Sequence, residues 1–132
     1  MALVSIDSRV VYVYETQALW RGIKDRHASK LFLLHGGVEL APTSTTNDPV
    51  VALQYTQSED RPEFALLLRI LPQDWLSRGA EISFLSAFPH EQEFLYPPLT
   101  HLRVLPNRRL TPIEHEGTTY EILECAPTFP SL

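Results

Sequence analysis

Apolar residues fall in short runs along the chain, broken by prolines, glycines and charged positions. Val10–Tyr14 (VVYVY) is β-branched and aromatic and predicts a strand. Ala18–Ile23 (ALWRGI) predicts a second short strand with one charged residue, Arg21, in its middle. Lys24–Lys30 is polar and reads as a loop or one helical turn. Leu31–Leu34 is a short apolar run closed by the turn signal Gly36-Gly37. Thr43–Asn47 (TSTTN) is a polar cluster. Asn47 or Asp48 is placed to cap a helix with Pro49 in its first turn. That helix carries Val50 or Val51, Leu53 and Tyr55 and ends near Gln57.

The second half reads mostly as strands. Phe64–Ile70 (FALLLRI) is apolar throughout and predicts a strand buried on both faces. Pro72–Arg78 fits a helical turn, Glu81–Ser86 a strand, and Ala87–His90 a loop containing Pro89. Glu91–Tyr96 predicts a strand stopped by Pro97-Pro98, followed by strands over Leu99–Leu105 and Thr118–Cys125. Many short strands with one convincing helix predict a β-rich α+β domain of two packed sheets.

Composition narrows the class. The chain has 132 residues, the size of one domain, spanning 1–132. Its net charge of −5 disfavours a nucleic-acid binder, which is usually basic. The longest stretch without a charged residue, Pro49–Ser58, is too short to span a bilayer. No basic segment followed by an apolar run opens the chain, so no signal peptide is visible. One cysteine, Cys125, excludes an internal disulfide and a multi-cysteine zinc site, and favours a reducing compartment. The five histidines lack metal-ligand spacing, so no metal is expected. Trp20 and Trp75 read as core anchors and Cys125 as a small buried residue.

Three features carry candidate chemistry. Glu91 and Glu93 lie two apart in a predicted strand and so face the same side. Such a like-charged pair either points to water at a strand edge or works at a sugar carbon, where one carboxylate stabilises positive charge and another handles the nucleophile. Arg21 interrupts an apolar strand next to Gly22. A cation there forms a structural salt bridge or clamps a phosphate, with Gly22 permitting close backbone approach. Thr43-Ser44-Thr45-Thr46 is either a set of caps and turns or a source of a hydroxyl that orients a carboxylate.

Arginine, a serine cluster and Glu-x-Glu, in that order, resemble the arginine–serine–glutamate class of mono-ADP-ribosyltransferases, which includes cholera-toxin-like enzymes and arginine-specific transferases. LWRGI looks like the family's arginine strand. APTSTTNDPVVALQY looks like its Ser-Thr-Ser strand and following helix. GAEISFLSAFPHEQEFLYPPLTHLRVL looks like the turn–turn loop, the Glu-x-Glu strand and the next strand. The resemblance runs from about Leu19 to Leu105. It implies a core of two packed, mostly antiparallel sheets with few short helices. It departs from the family in two places. The triplet is Ser44-Thr45-Thr46, which keeps the first serine. The family's N-terminal helical lobe is expected to be largely absent from this sequence, or trimmed from it, since only 20 residues precede Arg21.

The resemblance implies NAD as co-substrate and a target protein as acceptor, with no nucleic acid, membrane or metal. Arg21 would hold the phosphate next to the nicotinamide ribose, and Gly22 would offer backbone groups to the nicotinamide amide. Ser44 would orient Glu93, with Thr45 beside it in the cofactor site. Glu93 would bond the ribose 2′-hydroxyl and stabilise the oxocarbenium ion as nicotinamide leaves. Glu91 would position the acceptor, and glutamate there points to arginine. Phe88 would touch the target protein, and Tyr55 would pack on the nicotinamide. The expected activity is transfer of ADP-ribose to a protein side chain. The alternatives are an NAD glycohydrolase using water at the same site, or an inactive NAD- or protein-binding module. A cytoplasmic enzyme, or a secreted or injected effector, fits this reading.

Overall fold

The computed structural model describes residues 2–6, 9–13, 18–24, 27–57, 61–73, 76–82, 84 and 92–129. In chain order the elements are β1 (Ala2–Ile6), β2 (Arg9–Val13), β3 (Leu19–Lys24), α1 (Lys30–His35), β4 (Gly37–Val38), β5 (Thr43–Thr46) and α2 (Pro49–Thr56), then β6 (Phe64–Ile70), a 3₁₀ turn at Leu76–Arg78, β7 (Ala80–Glu81), β8 (Glu93–Tyr96), β9 (His101–His115) and β10 (Thr118–Thr128). The fold is α+β and dominated by its sheet. β1 and β2 form an antiparallel hairpin of their own. The other eight strands run β4-β9-β10-β6-β3-β5-β8-β7, antiparallel except for β10 and β6. No helix among the described residues is long and apolar enough to cross a membrane.

The eight-stranded order narrows to one residue pair, Trp20↔Thr46, between β3 and β5. At that seam the sheet divides into a larger part, β4-β9-β10-β6-β3, and a smaller part, β5-β8-β7. Phe94 and Tyr96 of the smaller part share a buried cluster with Leu66, Leu68, Ile70 and Leu123 of the larger. The two packed layers expected from the sequence are therefore present, joined at an edge.

β6 is buried on both sides because strand side chains alternate. Leu66, Leu68 and Ile70 enter the cluster beneath β8, while Ala65 and Leu67 pack with Ala52 of α2, Tyr120 and Ile122. α2 begins as its sequence predicts. Asp48 accepts a 2.9 Å bond from the Val50 amide, and Pro49 occupies the first turn. The Leu31–Leu34 run lies in α1, capped by Ser29 and closed by Gly36 at φ 68°.

Several boundaries differ from the sequence expectation. Within the strand expected over Glu81–Ser86, the structure shows β7 at Ala80–Glu81 and an exposed Phe84, while Ser83, Leu85 and Ser86 lie outside the described residues. The strand expected from Glu91 begins at Glu93, and Glu91 itself lies outside the described residues. β9 runs ten residues past Leu105, to His115, because Pro106 falls in a bulge. The register there jumps from Leu123↔Arg109 to Cys125↔Val104, so the missing N–H breaks no ladder bond. β10 correspondingly extends to Thr128. Trp75 lies outside the described residues. Trp20 is half-buried beneath the guanidinium of Arg69, 5.7 Å from its ring centre.

Candidate active site

The seam between the two sheet parts opens into a cavity of about 350 Å³. Its walls come from β3, β5, α2 and β8, and include Arg21, Gly22, Ser44, Thr45, Tyr55 and Glu93. These are six of the eight residues singled out in the sequence. The other two, Glu91 and Phe88, lie outside the described residues.

Strand register explains how Ser44 and Glu93 meet. β5 and β8 pair antiparallel, with Thr46 opposite Glu93 and Ser44 opposite Leu95. Directly opposed residues share a face, as do residues two apart, so Ser44 and Glu93 are diagonal neighbours on one face. The Ser44 hydroxyl donates to Glu93 Oε1 at 2.7 Å. The opposite face of the same strands carries Thr45, Phe94 and Tyr96, all buried. Thr45 donates its hydroxyl proton to the Phe94 carbonyl at 2.8 Å, so its side chain ties β5 to β8.

Arg21 lies on the core side of β3, between Leu19 and Ile23, and its cation must be paired there. Nε and one terminal nitrogen donate to the two oxygens of Glu39, each at 3.0 Å. The other terminal nitrogen donates to the Ser44 carbonyl at 3.1 Å. The fork-to-fork pair is partly exposed, with side chains 26% and 36% accessible. Arg21 thus forms the salt bridge that was one of its two sequence readings, and also lines the cavity. A guanidinium carries five N–H groups, so two remain for another anion.

Gly22 faces α2. A Cβ there would lie 2.4 Å from the Ala52 carbonyl oxygen and 2.5 Å from a Thr56 methyl. The glycine lets the helix pack onto β3, and the close approach is the helix's. Behind it, Tyr120 Oη lies 2.6 Å from both Thr56 Oγ1 and Gln57 Nε2, anchoring the end of α2. Tyr55 is 57% exposed and stands at the rim.

Sequence reasoning missed two residues. Glu39 is the first. The need of Arg21 for a counter-charge was readable, but nothing in the spacing chose among 16 acidic residues. Asn47 is the second. Asp48 takes the capping role, which leaves Asn47 to grip Gln92, the middle of Glu-x-Glu. Asn47 N donates to the Gln92 carbonyl at 3.0 Å, and Gln92 N donates to Asn47 Oδ1 at 2.8 Å. This clamp registers β8 at the residue just before Glu93.

On the far side of the Arg21–Glu39 pair lies a second cavity of about 470 Å³, mainly apolar, with Phe32, Leu66, Leu68, Leu102 and Tyr96 in its walls. The Tyr96 hydroxyl is buried and has no hydrogen-bond partner among the described residues, and burial pushes its pKa up.

No family model matches the chain, and no curated protein matches it. Solved structures that resemble it include Vis toxin, an ADP-ribosyltransferase from Vibrio splendidus, at 24% identity and a TM-score of 0.42, covering 85% of this chain and 48% of that one. The same enzyme in complex with an inhibitor, M6, matches at 23% identity and a TM-score of 0.44, covering 85% and 49%. Its complex with agmatine matches at 22% identity and a TM-score of 0.41, again covering 85% and 49%. This chain spans about half the length of those chains.

Proposed function

We propose that this core is an NAD-dependent mono-ADP-ribosyltransferase that moves ADP-ribose from NAD to a protein side chain, with arginine as the acceptor, and releases nicotinamide. The observation that carries the reading is the Ser44–Glu93 hydrogen bond inside a cavity that also holds Arg21. It is the constellation on which the sequence resemblance rests, assembled from three strands far apart in the chain.

The residues fit the chemistry. Cleaving the bond between nicotinamide and ribose develops positive charge at the ribose carbon. A carboxylate held in place lowers that barrier without reorganising at the moment of reaction. Ser44 supplies the hold, since its hydroxyl fixes one oxygen of Glu93. Arg21 offers a fork suited to phosphate, and Tyr55 at the rim offers an aromatic face for the nicotinamide ring. Glu91 positions the acceptor, and Phe88 contacts the target. The acceptor must be in place before cleavage, because the cation is otherwise trapped by water.

Incubation with labelled NAD, with and without a cell lysate, tests this. Label on protein, removed by an enzyme or reagent specific for arginine linkages, is the expected result. Free nicotinamide and ADP-ribose without labelled protein would assign a glycohydrolase instead. No turnover by folded protein would reject both.

A further inference from the structure

Arg21 was singled out for phosphate, yet its best edge is already engaged. The parallel Nε and terminal N–H groups form the fork that grips a phosphate or carboxylate through two bonds at once. Glu39 occupies both, at 3.0 Å each. The Glu39 backbone is also anchored. It follows β4, whose Gly37 and Val38 pair with Leu102 and His101 of β9. Its carbonyl accepts the Leu99 amide at 2.8 Å. The carboxylate therefore projects from a fixed point; Glu39 lines the cavity of about 470 Å³ and Arg21 the one of about 350 Å³, so the ion pair links the two.

We propose that Glu39 is an internal competitor for Arg21: its carboxylate stands where a phosphate would bind and sets how tightly the site holds a pyrophosphate-bearing ligand. The proposal rests on the reading of Arg21 as the phosphate-binding residue. A phosphate approaching Arg21 must take the fork from Glu39 or share the guanidinium with a like charge beside it. Either route weakens binding. Glu39 also gives selectivity, because the penalty falls on anionic ligands and spares neutral ones such as nicotinamide. The Ser44 carbonyl keeps its own bond to Arg21, so the guanidinium stays oriented when Glu39 loses its charge.

Calorimetric titration of wild type, Glu39→Gln, Glu39→Ala and Glu39→Asp with NAD, inorganic pyrophosphate and nicotinamide tests the proposal. Glu39 is partly exposed beside a short strand, and unchanged melting curves confirm that each variant folds. The glutamine and alanine variants are expected to bind NAD and pyrophosphate about three- to tenfold more tightly, the size of one partly screened charge interaction. Nicotinamide affinity stays as in wild type, and Glu39→Asp, which keeps the charge, shows no gain. Equal or weaker binding of pyrophosphate by Glu39→Gln and Glu39→Ala overturns the competitor role. If wild type still binds NAD in that case, the function proposed above stands. Tighter pyrophosphate binding with no NAD binding by any variant keeps the competitor and removes the NAD reading. Absence of both pyrophosphate and NAD binding throughout overturns both.

Discussion

Ser44 and Glu93, separated by 49 positions in sequence, are joined by a 2.7 Å hydrogen bond from the serine hydroxyl to Oε1 of the carboxylate. The bond follows from antiparallel register, which sets the two residues diagonally on one face of β5 and β8. The serine aims Glu93 through a neutral hydroxyl and brings no counter-charge of its own to the carboxylate.

Replacing Glu93 by glutamine keeps the shape and removes the charge. NAD cleavage is expected to fall by about 10²–10³-fold or more, with a melting temperature close to wild type. Wild-type turnover by this variant would show that the reacting carbon lies elsewhere. Ser44→Ala removes the orienting bond alone, and about a tenfold loss in kcat is expected, in line with one hydrogen bond to a charged group.

Arg21→Lys keeps the charge but cannot bond through two parallel N–H groups. The KM for NAD is expected to rise about tenfold or more, while kcat changes less. Steady-state kinetics decides the point; a change confined to kcat would take Arg21 out of ground-state binding.

Gly22→Ala forces a methyl to within 2.4 Å of the Ala52 carbonyl. Backbone cannot yield as a flexible side chain does, so α2 must shift. Urea denaturation is expected to show a loss of about 1–3 kcal/mol. Stability equal to wild type would mean that α2 moves freely on β3.

Asn47→Ala removes the Oδ1 acceptor of the Gln92 amide and leaves the backbone bond from Asn47 N to the Gln92 carbonyl in place. Since the clamp registers β8 just before Glu93, kcat is expected to fall a few-fold while NAD affinity holds. Loss of affinity without loss of kcat would reduce the clamp to a loop contact.

Cys125 is buried, and burial, reinforced by Glu124, pushes its thiol pKa up to about 12. The thiol is therefore expected to resist alkylation at pH 8 in folded protein and to react on unfolding. The sign for stability follows. The unfolded thiol loses its proton first as pH rises, so the unfolded state binds fewer protons between its ordinary pKa and about 12. This group's contribution is complete below the unfolded pKa and lost as pH climbs through that window. Urea titrations across alkaline pH measure it; rapid labelling of native protein at pH 8 would contradict the burial.

The sequence alone determined the local pieces. A β-branched run at Val10 to Val13 and an unbroken apolar run at Phe64–Ile70 are strands because β-branched and large apolar residues favour the extended backbone. Asp48 followed by Pro49 starts a helix because each answers a need of its first turn. The order of arginine, serine cluster and Glu-x-Glu was also readable, and with it the candidate site. Tertiary structure decided what these residues touch. That Thr43–Thr46 forms a strand inside the seam depends on its pairing with β8, with Ser44 and Glu93 49 positions apart. That Pro106 leaves β9 unbroken depends on a bulge against β10. Above all, the partner of Arg21 is Glu39, chosen by where β4 ends and not by any spacing in sequence. Propensity and capping act over a few residues and are written locally. Charge pairing and register act through space, so only the folded chain selects which distant groups meet.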